Sequence, residues 1–308
     1  MFEQLGLIGC GLMGGSFALA LKQAGLVQRV VGYSKSPRTL HRARELGVID
    51  VEAPSALLAV SGADIVLLAV PVAAMEDSFK AMRHLIGPQT LVMDVGSTKC
   101  DVVAAARRAL KDQLAGFVPA HPITGKEVAG VEHAEAGLYR NRQTILTPLP
   151  ETDPAQLARA AQVWRAVGSR VREMSPEAHD AAYATVSHLP HLLAFAAMNA
   201  IHDQPEASKY LELAGPGFRD FSRIAAGDPH IWRDILLANQ SEVLAQSRHF
   251  RAALDALEAA MQAGDGEALQ ALIRQASEAR AGWQMQGNGG DGSNASAPSS
   301  PATPQGVT

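Results

Sequence analysis

Two clusters of residues near the start of the 308-residue chain have the types and spacing to hold a phosphorylated cofactor. Gly9-Cys10-Gly11-Leu12-Met13-Gly14 follows the apolar run Leu5–Ile8 and opens an apolar helical segment. In that setting backbone N–H groups and the positive end of a helix can bind a pyrophosphate. Gly9 suits the tight turn, Gly11 the close approach of phosphates and Gly14 the packing of helix on strand, with Leu12 and Met13 completing the loop. An ordinary glycine-rich turn is the alternative. Roughly 20 residues on, a site preferring NAD carries Asp or Glu for the ribose hydroxyls. Ser34 stands there instead, and with Lys35, Ser36 and Arg38 it offers hydroxyls and positive charge to a 2′-phosphate. NADP is therefore the expected cofactor, with NAD still possible. Lys35 and Arg38 could also be no more than solvated loop charges.

Further along, polar residues recur at the ends of apolar runs, where ligands bind in parallel sheets. Val70 and Pro71 end one run, and Asp94-Val95-Gly96-Ser97-Thr98-Lys99 ends the next. Ser97 can present a hydroxyl to a substrate oxygen and Lys99 a positive charge, unless Ser97 or Thr98 merely caps a helix. His121, in Ala120-His121-Pro122-Ile123-Thr124-Gly125-Lys126-Glu127, is the candidate general base, able to bond the hydroxyl on a carbon that loses hydride. Ser187-His188-Leu189-Pro190-His191 puts two imidazoles and a hydroxyl at a proline within an apolar helix. They either line the site or satisfy the backbone groups freed by the proline. In Gly215 to Ala225, Arg223 rather than Arg219 is the better guanidinium to clamp a carboxylate, with an ordinary surface loop as the alternative. His121, His188 and His191 lack the spacing and companions of a metal ligand set, so no metal is expected.

Elements of two kinds must position these groups. Short apolar runs at Leu5–Ile8, Val30–Tyr33, Ile65–Val70, Leu91–Val95, Phe117–Ala120, Thr144–Thr147 and Arg170–Met174 read as buried strands. Segments of helical spacing separate them, among them Ser16–Ala24, Thr39–Leu46 and Lys99–Leu110. The predicted fold is α/β, a Rossmann-like, mostly parallel doubly wound sheet over residues 1–175. Beyond Pro176 only helical patterns remain, at Ala178–Ile201, Pro229–Ala263 and Gly266–Trp283, predicting an all-α domain over residues 176–285. Residues 286–308 are rich in Gly, Ser, Asn, Pro and Ala and read as a disordered tail. No apolar stretch reaches the roughly 20 residues of a spanning helix. The start carries no basic leader, Cys10 and Cys100 make no disulfide framework, and a net charge of -4 gives no basic field for nucleic acid. These features predict a cytoplasmic protein acting on a small molecule, without nucleic-acid or membrane partners.

Taken in order, GLIGCGLMGGS from Gly6, DVGSTK from Asp94, HPITGKE from His121, HD at His179, SHLPH from Ser187 and GFRDFSRIA from Gly217 resemble the prephenate/arogenate (cyclohexadienyl) dehydrogenases of tyrosine biosynthesis. The resemblance extends to about residue 283. It implies oxidative decarboxylation of prephenate to 4-hydroxyphenylpyruvate with reduction of NADP. His121 then bonds the ring hydroxyl, Ser97 supports it and Arg223 holds a substrate carboxylate. Glu127 and Asp220 flank the substrate entrance, Ser187 and His191 belong to the site wall, and Trp232 to the packing of the helical domain. That domain forms a homodimer in the family, with the active site between the two domains. Lys126 occupies a variable loop position whose charge could favour the keto acid of prephenate over the ammonium of arogenate; use of arogenate, or of both, is the alternative. A 3-hydroxyacid dehydrogenase would need a catalytic lysine in Ala181–Ile201, which has none. A non-catalytic NADP sensor would leave His121, the SHLPH string and Arg223 without a purpose.

Overall fold

The computed structural model describes residues 1–126 and 128–283, so Glu127 and the tail 286–308 lie outside the described residues. Six strands form a parallel sheet: β1 (Phe2–Ile8), β2 (Val27–Tyr33), β3 (Val51–Glu52), β4 (Ile65–Leu68), β5 (Leu91–Asp94) and β6 (Phe117–Val118). Their order is β3-β2-β1-β4-β5-β6. β4 and β5 are buried at every position because helices cover both faces, which is why they read as unbroken apolar runs. Connections run through α1 (Leu12–Gln23), α2 (Pro37–Glu45), α3 (Ala56–Ala59), α4 (Met75–Met82) and α5 (Cys100–Leu110). The strand order reverses between β1 and β4, so their C-terminal ends open the crevice that binds ligands in such sheets.

The last apolar runs do not extend this sheet. The predicted strand Phe117–Ala120 divides at Pro119 into β6 and β7 (Ala120–Pro122). β7 pairs antiparallel with β8 (Gln143–Leu146), which pairs parallel with β9 (Arg170–Glu173), making a second, three-stranded sheet. The Pro119 carbonyl accepts from the Thr147 amide, so the chain changes sheets without orphaning its backbone. The turn aims His121 differently from a side chain in the main sheet. α6 (Pro154–Ala166) joins β8 to β9, and its Trp164 packs with Phe17 and Tyr139 at ring separations of 4.9 and 5.2 Å.

After β9 the chain is helical: α7 (Pro176–Tyr183), a turn of π-helix (Ala184–His188), α8 (Leu189–His202), α9 (Ala207–Glu212), α10 (Pro216–Ser222), α11 (Pro229–Ala238), α12 (Gln240–Gln262) and α13 (Gly266–Gly282). Ser36-Pro37, Asp153-Pro154, Ser175-Pro176 and Asp228-Pro229 each start a helix, with the Ser or Asp side chain accepting from a first-turn amide. Proline loses nothing at that position, since its missing N–H would have had no intrahelical partner. Pro190 does not break the helix as its place in the sequence suggested; the π-turn before it absorbs the disruption, a device frequent at functional sites. By compactness the chain divides into Met1–Ala259 and Ala260–Thr308. Among the described residues no helix is long and apolar enough to cross a membrane.

Candidate active site

The glycine loop lies between the ends of β1 and β4. Gly9 has φ +97°, and a Cβ there would stand 2.2 Å from the Ala69 carbonyl oxygen, so only glycine fits. A Cβ on Gly14 would meet the Gly9 carbonyl oxygen at 2.1 Å, which lets α1 press against β1 and β4. Gly11 is the opposite case: a Cβ would meet nothing within 4 Å, and as N-cap of α1 it supplies no side-chain bond to the helix amides. The start of α1 thus opens onto a cleft of about 400 Å³, whose wall includes Gly11, Leu12, Met13, Val70, Pro71 and Ser97. These features fit a dinucleotide: a tight turn, an uncapped helix start and open space beside it. Ser34, Lys35 and Arg38 follow β2, whose Tyr33 carbonyl accepts from the Gly9 amide at 2.9 Å. Ser34 Oγ accepts from the Ser36 amide (3.3 Å), Ser36 caps α2, and Lys35 and Arg38 are exposed.

Ser97 lines the same cleft, on the loop between β5 and α5. Neither it nor Thr98 caps α5. The amides of Lys99 and Cys100 instead donate to the Asp180 carboxylate, each at 2.8 Å, so the cap comes from α7. Lys99 is also not where its position after the strand suggested. It is fully buried, paired with the equally buried Asp94, and donates to the Ala120 carbonyl at 2.8 Å. Asp94 further accepts from the amides of Gly96 (2.7 Å) and Ala120 (3.0 Å). The ammonium is therefore withheld from any substrate and fastens β5 to the strand that carries His121.

His121 is half-buried on β7. Its Nδ1 lies 2.8 Å from His179 Nε2, and His179 Nδ1 lies 2.8 Å from Asp180 Oδ1. Tyr183 contacts both rings, at centroid separations of 5.0 Å from His121 and 4.5 Å from His179. Burial holds the His121 pKa well below the usual imidazole range, and His179, Lys99 and His188 add to the shift by repulsion. Burial also lowers His179, against the pull of Asp180. For Asp180 burial acts upward, but the bonds from His179 and the amides of Cys100 and Lys99 prevail and leave it below the ordinary carboxylate value.

The SHLPH string extends this polar line. His188 is buried, and its Nδ1 accepts from Asn239 Nδ2 at 3.1 Å; the same amide group donates to the Asp180 carbonyl at 2.8 Å. His191 Nδ1 donates to the Ser187 carbonyl (2.9 Å), and its ring stacks on Trp232 at 3.6 Å. Trp232 reaches the cleft wall from α11 because Gly227 leaves it room: a Cβ there would stand 2.3 Å from the indole nitrogen. Arg223 lies close enough to His191 to help depress its pKa, after burial. Asp220 is exposed and pairs with Arg219 at 3.5 Å. Lys126 lines the cleft, with its ammonium bonded to the His133 carbonyl and to Glu135, both at 3.0 Å. His179, Asp180 and Asn239 were given no role from sequence; the visible signal was a His-Asp pair inside an alanine-rich helix.

Strand order, an uncapped glycine-rich helix start at the switch point and an uncharged imidazole on a strand next to the sheet together define an oxidoreductase of the dinucleotide-binding class. Residues 17–173 match the family model described as prephenate dehydrogenase, nucleotide-binding domain, and residues 175–275 match that of the prephenate dehydrogenase dimerization domain. The chain is 33% identical to the cyclohexadienyl dehydrogenase of Zymomonas mobilis, over 91% of this chain and 96% of that one. It is also 33% identical to the prephenate dehydrogenase of Bacillus subtilis, over 94% of this chain and 78% of that one. Among solved structures it is similar to prephenate dehydrogenase of A. aeolicus in complex with hydroxyphenyl propionate and NAD+, with a TM-score of 0.85, 35% identity and coverage of 91% of this chain and 98% of that chain. The chain belongs to the prephenate dehydrogenase family of NAD(P)-dependent oxidoreductases.

Proposed function

We propose that this chain is an NADP-linked prephenate dehydrogenase that converts prephenate to 4-hydroxyphenylpyruvate and carbon dioxide, acting as a cytoplasmic homodimer. The observation that carries the reading is His121, whose pKa burial holds below the usual imidazole range and whose strand Lys99 fastens to Asp94 at the end of β5, three residues before the cleft-lining Ser97. The bound cofactor supplies one piece of chemistry, acceptance of hydride from ring C4. His121 takes the hydroxyl proton as that carbon becomes a carbonyl, and returns it to the phenolate oxygen once the ring carboxylate has left as carbon dioxide. No net proton is consumed, and the gain of an aromatic ring makes the carboxylate loss downhill. Ser97 bonds the same oxygen. Arg223 holds the ring carboxylate, with positioning as its main contribution. Ser187 and His191 wall the ring side, and Asp220 flanks the entrance.

Several observations support the finer points. Ser34, directly after β2, puts no carboxylate there to repel a 2′-phosphate, and Lys35 and Arg38 are exposed beside it. The similar solved structure holds NAD+, so NAD is the competing cofactor. We assign residues 1–175 to cofactor binding and 176–285 to substrate binding and dimerisation, because β9 ends at Glu173 and the elements that follow among the described residues are helices. Large apolar side chains lie bare in this segment, Leu213 just after α9 at 85% and Leu237 on α11 at 64% exposure, as expected of a face that a second copy covers. Cys10 and Cys100 are free thiols, in keeping with a reducing compartment.

Dual use of prephenate and arogenate is the second reading. Lys126 is already engaged by Glu135, which weakens its charge as a discriminator between the two side chains. Initial rates at neutral pH with each substrate, against NADP and against NAD, test both readings. Preference for prephenate with NADP supports the proposal. Equal rates on arogenate favour the dual enzyme, turnover mainly with NAD removes the Ser34 argument, and no turnover in any combination removes the functional reading.

A further inference from the structure

We propose that His179 and Asp180 are positioning residues that fix the tautomer of His121, placing its proton on Nδ1 and leaving Nε2 as the lone pair that accepts the substrate proton. The inference rests on His121 being the base, as above. It follows from counting donors and acceptors along one line of contacts. Asp180 is an acceptor-only carboxylate that receives the amides of Lys99 and Cys100 and Nδ1 of His179, each at 2.8 Å, and the Cys100 thiol as well. His179 must therefore carry its proton on Nδ1. A neutral His179 then has a lone pair on Nε2, and among the described residues the group that meets it, at 2.8 Å, is His121 Nδ1. That nitrogen has to be the donor. A neutral imidazole with Nδ1–H has no proton on Nε2.

The competing arrangement, a doubly protonated His179 donating to both neighbours, puts a second cation in a buried space that already holds Lys99. The groups that face the two imidazoles come from every neighbouring element. They are Lys99 at the start of α5 with its partner Asp94 from β5, Asp180 and Tyr183 from α7, and His188 from the π-turn. Lys99 and His188 both oppose a charge on the pair, whereas Asp180 favours a proton on the near side of His179. Tyr183 packs its ring against both imidazoles. Asn239 clamps the far side, donating both to the Asp180 carbonyl and to His188.

The step so arranged is a single proton transfer: the O–H bond of the substrate hydroxyl breaks, an N–H bond forms at His121 Nε2, and the electron pair stays on oxygen. The imidazolium that results donates more strongly to His179, and Asp180, fixed at the start of α5, offsets the new charge from two rings away. The line also crosses from β7 to α7, so the base is set by a helix remote from it in sequence.

The test pairs tautomer with turnover. Long-range ¹H–¹⁵N NMR of the histidine-labelled, cofactor-free protein, with His121→Gln to assign the signal, reads which nitrogen carries the proton. The expected result is a proton on Nδ1 in the unsubstituted protein. His179→Phe keeps an aromatic ring against Tyr183 but removes the acceptor. It should move the His121 proton to Nε2 and lower kcat by about 10²-fold or more, with KM and cofactor affinity within about 3-fold. His179→Gln restores an acceptor and should recover most of kcat and the original tautomer. A proton found on Nε2 in the unsubstituted protein overturns the proposal, whatever the fate of the variants. So does a His179→Phe enzyme that keeps full kcat. The expected tautomer together with no turnover on prephenate or arogenate sinks the functional reading and leaves the assignment of the proton supported.

Discussion

His188 gives the fold a measurable acid sensitivity. Its ring is buried, and burial lowers its pKa from 6.5 to about 4, with repulsion from His179 and His191 added and attraction to Asp180 opposing. Above the ordinary value both folded and unfolded chains hold it neutral, and stability does not depend on it. As pH falls below 6.5 the unfolded chain takes up a proton that the folded chain refuses, so stability is lost down to about 4 and levels off below. At about 1.36 kcal/mol per pH unit, that window is worth about 3 kcal/mol. The perturbation that isolates it is His188→Asn, which keeps an acceptor where Nδ1 meets Asn239 but cannot titrate. Both proteins would be unfolded in urea at one protein concentration, across a pH series from about 7 to about 4, with helix content followed by circular dichroism. His121, His179 and His191 are shifted the same way and destabilise both proteins alike, so only the difference between the two matters. The unsubstituted protein should lose about 3 kcal/mol relative to the variant over the series. A difference that stays flat with pH would mean that His188 is protonated, or solvated, in the fold, and the argument from burial would fail.

Two further outcomes test the supporting frame. Lys99→Met leaves the Asp94 carboxylate buried with only the amides of Gly96 and Ala120, and should destabilise the protein by about 3–5 kcal/mol in the same urea assay. A loss under about 1 kcal/mol would show that the two amides satisfy Asp94 without the cation. Ser34→Asp puts a carboxylate at the end of β2 and should move the ratio of kcat/KM for NADP over NAD toward NAD by about 10-fold or more. An unchanged ratio would mean that the 2′-phosphate is read elsewhere.

What sequence could reveal here was set by how local the physics is. The glycine loop is legible because its requirements are met within one strand, turn and helix: Gly9 must turn and Gly14 must pack, and both demands show in the spacing. The Ser-Pro and Asp-Pro helix starts are legible for the same reason. The run Phe117–Ala120 was not, because a buried strand looks the same whichever sheet it joins; Pro119, which cannot donate to a ladder, was the one local hint of the division. Lys99 misled because a cation after a strand end reads as substrate-facing, and its burial depends on Asp94 and Ala120 meeting it from both sides. His179 was visible only as part of a string, since its partner His121 lies 58 residues earlier and the amides that fix Asp180 lie 80 and 81 residues earlier. Asn239 was hidden inside the single helix expected over Pro229–Ala263, and the structure breaks that helix at the residue whose amide holds Asp180 and His188. A group proposed to touch substrate, such as Ser97 or His121, sits at or near a strand end, where its type and position can be read from neighbouring residues. The groups that hold it in register satisfy one another across the fold, and each alone has the appearance of an ordinary polar residue in a helix. The reach of sequence reasoning therefore stops one hydrogen bond behind His121, the proposed base, at the His179–Asp180 pair that we propose decides its proton.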